Sequence, residues 1–240
     1  MLLSFAITCS FSALLVDQAL GQGAPTNLQV YPKDTTREAL VADMRQFAAA
    51  LDVRCTHCHA RREDGRGNDF ASDANPNKDK ARAMLRMVAT INNELLPNVP
   101  GRDDPPVVVT CKTCHRGTAK PRLLSQEMLL AAHQSGGQGA VDKFNELKES
   151  SSDIGAYDFR EGETNTVAEN LAEEGKYEDA LVVYTMNIER FPESAAIWFG
   201  MGSAHENLGH VPAAIEAYEK AVALDPRSPA AERLKELQAK

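Results

Sequence analysis

Apolar residues recur at helical spacing through most of the chain. In "TTREALVADMRQFAAALDV", Leu40, Met44, Phe47 and Leu51 follow at steps of four, three and four, which is one face of an amphipathic helix. Thr35 and Glu38 read as a capping box at its start. Asp52-Val53-Arg54 reads as a short turn that lets the chain fold back. In "NKDKARAMLRMVATINNELL", Met84, Met87, Val88, Ile91 and Leu95 make a second stripe, expected to face inward and to stop before Pro97. "PNVPGRDDPP" is then a loop. No strand-rich stretch adjoins either helix, and the expected class is all-α.

The carboxyl half repeats itself. Gly175, Ala180, Tyr184 and Pro192 are matched by Gly209, Ala214, Tyr218 and Pro226, each 34 residues later. With Trp198 and Gly202 in the second copy and Thr164 and Ala168 in the first, residues 161–226 resemble tetratricopeptide repeats. Small residues there let paired helices approach, while the aromatics and the proline fix the turn. A worn earlier copy is expected, with Leu123–Ala132 as its first helix, "QSGGQG" as its turn and "AVDKF" (140–144) opening its second. "SPAAERLKELQAK" reads as a capping helix with a polar outer face.

The amino end differs from both. Leu2–Val16 is uncharged and apolar, and Ala19-Leu20-Gly21 offers small residues of the kind a signal peptidase reads. The run is short for a bilayer span, which needs roughly 20 apolar residues. Cys9 falls inside it and is expected to be discarded with it. The expected organisation is a signal peptide at 1–21, a first domain at 22–122 and a helical repeat domain at 123–240.

Charge separates the last two. Residues 22–122 carry 16 Lys/Arg against 12 Asp/Glu, whereas 123–240 carry 10 against 21. No basic run marks a nucleic-acid surface. The acidic repeat half instead suits a basic protein partner.

The chemistry lies in two short strings, "CTHCHA" at 55–60 and "CKTCHRG" at 111–117, which hold every cysteine beyond residue 21. Disulfides, a zinc knuckle or a thiol redox pair would each use Cys-x-x-Cys, but none requires the histidine that follows at His59 and His115. Covalent haem of the c type accounts for each position. Cys55 and Cys58, and again Cys111 and Cys114, sit one helical turn apart to meet the two vinyl groups on one porphyrin edge. His59 and His115 then face the iron. His57 fills the variable slot as a filler. The cofactor expectation is two haem c groups.

An electron carrier needs a sixth ligand on each iron, and methionine or histidine is the usual donor. Met44 lies on the helix before the first motif, and Met84 or Met87 on the helix before the second. Periodicity does not choose between the last two. "FAAALDVRCTHCHA", "KARAMLRMVATIN" and "VTCKTCHRGTAKP" resemble the cytochrome subunit of bacterial photosynthetic reaction centres and its relatives. The resemblance spans roughly 34–122 and implies helix–turn–CxxCH units in a multihaem cytochrome c domain. It also implies Met44 as sixth ligand of the first haem and Met84 of the second, with Met87 packing on the ring. Well-known members carry four haems, so a photosynthetic role does not follow.

Arg54, Arg82, Arg86 and Arg116 are candidate partners for haem propionates. His133, His205 and His210 are expected to have no metal role. The reading is thus a periplasmic dihaem electron-transfer protein, not an enzyme, with a tetratricopeptide α-solenoid that docks redox partners. Membrane tethering stays open, and nucleic acid is not expected. Two alternatives are a dihaem peroxidase-like enzyme, for which no acid or base stands beside either motif, and a redox-sensing scaffold.

Overall fold

A computed structural model describes residues 24–102, 104–151 and 155–239, and the expected signal at 1–21 lies outside them. The described chain forms two compact units. The first takes residues up to Ala49 and Val53–Thr110, and the second takes Ala50–Asp52 and Cys111 onward.

The first unit is built on two helices. α1 (Arg37–Leu51) opens at Thr36, whose hydroxyl accepts from the Ala39 amide at 3.3 Å. The expected box at Thr35 and Glu38 is therefore one residue out of register, because Thr35 turns its hydroxyl back to the Pro32 carbonyl. At the other end Asp52 takes a left-handed φ of 50° and the Val53 amide reaches the Ala48 carbonyl, which is a helix stop of the Schellman kind. α2 (Asn77–Thr90) ends before Pro97 as expected, but helical turns of other kinds carry on past it. It widens into a π turn at Ile91–Leu95 and tightens into a 3-10 turn at Leu96–Asn98, where Pro97 sits in the first turn and needs no amide partner. Between them, β1 (Ala60–Arg61) and β2 (Asn68–Asp69) form a small antiparallel hairpin.

Little of this unit is sealed by protein atoms. Among its described apolar residues only Leu28 counts as buried, and it is still 9% exposed. The stripe on α2 was expected to face inward, yet Met84 and Met87 are 46% and 47% exposed and Leu95 is 58% exposed. Leu40, Met44, Phe47 and Leu51 on α1 are only half-buried.

The second unit contrasts with that. A five-residue helix, α3 (Cys111–His115), leads to α4 (Leu124–Ser151), which breaks at Ser135 and Gly136, where φ is 70°. The break falls in "QSGGQG", so the forecast helix–turn–helix is present. α5 (Glu161–Glu173), α6 (Tyr177–Arg190), α7 (Ala195–Asn207), α8 (Val211–Leu224) and α9 (Ala230–Gln238) complete the helical stack. Leu124, Met128, Ala140 and Phe144 of α4 share a closed core with Leu171, Val183, Tyr184 and Ile197. Around the second copy, Tyr218, Ala221, Ala230 and Leu237 make a further core that α9 caps.

The repeat spacing has a backbone cause. Gly175 and Gly209 both take left-handed φ, 77° and 73°. The next amide, Lys176 or His210, bonds the carbonyl five residues back in each copy. The same helix stop thus recurs 34 residues apart, as glycine permits at that φ. Among the described residues, no helix is long and apolar enough to cross a membrane.

Candidate functional site

The first motif is a single helical turn. Cys55–His57 form a 3-10 turn, and the Cys58 and His59 amides both reach back to the Cys55 carbonyl, at 3.3 and 3.0 Å. Residues three apart on such a turn share a face, so both thiols emerge on one side. Two asparagines hold the turn from outside it. Asn75 donates to the carbonyls of Thr56 and His57, and Asn77 donates to that of His57 at 3.0 Å. His57 is half-buried rather than free, and its carbonyl is the grip.

His59 closes the turn beside Phe70, whose ring lies 4.9 Å away at 70°. Its Nδ1 is buried without a hydrogen-bond partner. Burial pushes the imidazole below its ordinary pKa, and the charges of Lys78 and Arg82 push it the same way.

In the second motif α3 carries Cys111 and Cys114 one turn apart. Arg116 and Gly117 then turn the chain back with φ of 48° and 89°. The Gly117 amide bonds the Ala50 carbonyl at the end of α1, at 2.8 Å. That turn brings the Thr118 carbonyl to 2.9 Å from His115 Nδ1. With Nδ1 donating there, Nε2 keeps its lone pair for a metal. Upstream, the Asn92 side chain makes both bonds to the Val109 backbone, at 2.7 and 2.8 Å, two residues before Cys111.

The four thiols are unpaired, and among the described residues no three His, Cys, Asp or Glu are grouped to hold an ion. Burial raises the pKa of Cys58 and of Cys111. A thiol redox pair depends on the opposite shift. Met44 belongs to the same unit as Cys55–His59; Met84 is carried by the first unit and Cys111–His115 by the second.

Arg82 needs correction as a propionate partner. It is 7% exposed and spends its guanidinium on Asp73 at 2.8 Å and Asp79 at 2.6 Å. Arg54, Arg86 and Arg116 remain exposed. Sequence reasoning missed Asn75, Asn77, Asn92, Phe70 and the Thr118 carbonyl. Only a run such as "NPN", just ahead of α2, hinted at a side-chain clamp.

Comparison with known families returns the photosynthetic reaction centre cytochrome C subunit over residues 33–156, just over half of the chain. The chain belongs to that family. Its match runs on through α4, whose buried side chains join the core of α5 and α6. Tetratricopeptide repeats match residues 168–229. Cytochrome c-554 of Chloroflexus aurantiacus is 35% identical over 97 residues, covering 37% of this chain and 22% of that protein. The chain therefore spans less than a quarter of the length of that curated relative. Among solved structures, "MamA 41-end" of Desulfovibrio magneticus RS-1 aligns with 48% of this chain and 63% of its own at 22% identity, with a TM-score of 0.34.

Membership of a c-type cytochrome family implies covalently bound haem, and repeats of a protein-interaction type follow. The residues fit such a group. Each motif offers two thiols on one helical face and a histidine beyond them. The second histidine has its outer nitrogen already committed. The first unit adds apolar side chains on α1 and α2 that protein atoms leave partly uncovered.

Proposed function

We propose that the protein is a periplasmic electron carrier, exported by its first 21 residues, with two haem c groups. Cys55 and Cys58 would hold one and Cys111 and Cys114 the other. His59 and His115 would each offer an imidazole to the iron, and Met44 and Met84 a thioether. The hydrogen bond from His115 to Thr118 supports this reading best, because it fixes the tautomer that leaves Nε2 facing outward from the turn's own bonding. Bound haem supplies one-electron chemistry at an iron; the chain holds it, tunes it and keeps water away.

The apolar residues of α1 and α2 serve that last task. Met84, Met87 and Leu95 are exposed to a degree that a helix meeting only water would not favour, at about 25 cal/mol per Å² of uncovered apolar surface. Met44 and Met84 join this lining through a thioether that is both apolar and a soft donor.

The repeat half docks the redox partner. Its 21 acidic against 10 basic residues suit a basic protein surface, and such steering falls off with salt. The spectrum of the oxidised protein tests the carrier reading. Two low-spin haems with a sulfur-to-iron charge-transfer band are expected. A high-spin component that binds cyanide would instead indicate an open iron and an enzyme.

A further inference from the structure

His59 and His115 end the same five-residue motif but differ at Nδ1. Around His115 the chain turns back at once and supplies the Thr118 carbonyl at 2.9 Å. The Thr118 hydroxyl donates to the carbonyls of His115 and Lys120, at 2.8 and 3.2 Å, so the turn is pinned from both sides. After His59 the chain runs straight into β1, and no such carbonyl returns to the ring. His59 Nδ1 stays buried without an acceptor, and its neighbour is the Phe70 ring. Lys78 donates to the carbonyls of Phe70, Ala71 and Ser72 and pairs with Asp73 at 3.1 Å, which anchors the segment that carries that ring.

An acceptor on Nδ1 pulls on the ring proton and makes Nε2 the stronger donor to a metal. A stronger donor favours the ferric over the ferrous state. A bare Nδ1 favours the reverse. Resting on the two-haem reading above, we propose that the His59 site has the higher reduction potential and the His115 site the lower. The Thr118 carbonyl at one ring and the lack of an acceptor at the other set that order. Phe70 and Thr118 are positioning residues.

Mediated potentiometry on the full-length holoprotein tests the order, once its mass shows two covalent haems. A single haem would sink the two-site reading itself, before the order is asked. Two separate waves are expected. Phe70→Gln, which offers His59 Nδ1 an acceptor, should lower the upper wave and leave the lower in place. Thr118→Val, which frees the pinned turn, should raise the lower wave and leave the upper in place. Coincident waves in the unaltered protein, each substitution moving the other wave, or neither moving any, would overturn the proposal.

Discussion

Gly202 lies against the ring of Tyr218 so closely that a Cβ there would stand 2.6 Å from Cδ1. The ring has nowhere to retreat, since its hydroxyl donates to Glu206 at 2.9 Å and Arg233 braces the same carboxylate. The phenol is pushed up to about 12, by burial first and then by that carboxylate. Gly202→Ala gains helix propensity worth up to about 1 kcal/mol. It meets overpacking that typically costs about 1–3 kcal/mol. A net loss of stability is expected on urea unfolding of the holoprotein. A gain would show that α7 and α8 are less tightly engaged.

Asn187 is buried in α6 with neither amide atom bonded, and the next copy has Ala221 at the matching place. A buried polar group left unsatisfied costs about 1–3 kcal/mol. Asn187→Leu keeps the branched shape, with two methyls for the amide oxygen and nitrogen, and removes that cost, so the thermal midpoint should rise. A fall would mean that the amide has a partner the structure does not show.

Asp73 ties the amino-terminal segment of the first unit, through Asn27, to α2. It accepts from Arg82, Asn27 and Lys78, which hold its carboxyl well below the usual range. A depressed carboxyl contributes fully above its unfolded pKa, near 4, and loses that contribution as pH falls toward the folded value. The stability difference between wild type and Asp73→Asn should therefore be flat above about pH 4 and shrink below it. A difference that grows in acid would contradict the pairing.

The methionines separate by substitution. Met44→Ala should remove sulfur ligation and lower the potential at the first site, and Met84→Ala should do so at the second. Met87→Ala should do much less. Charge-transfer bands and potentials read all three, and a larger effect from Met87 than from Met84 would reverse the ligand assignment.

Local rules were legible in the residues, and distant grips were not. The 34-residue period became two identical helix stops at Gly175 and Gly209, because a left-handed turn is written in one residue. "QSGGQG" announced the break in α4 for the same reason. The Thr36 cap slipped by one position because adjacent threonines satisfy the same pattern. Two-residue strands in "ARREDGRGND" carry no alternation to read. The asparagine clamps join residues 17–20 apart through polar side chains, which leave no periodic trace. The α2 stripe was read correctly as apolar but wrongly as covered, because periodicity says which face avoids water and not whether protein or a prosthetic group covers it.

The account stands or falls on iron porphyrin bonded through four thiols. Intact-mass measurement of the mature holoprotein, from a host able to attach haem, tests this most directly. The account predicts a chain lacking its first 21 residues and carrying two haem masses that survive denaturation. A mass equal to the bare polypeptide, with Cys55, Cys58, Cys111 and Cys114 all open to alkylation, would contradict it.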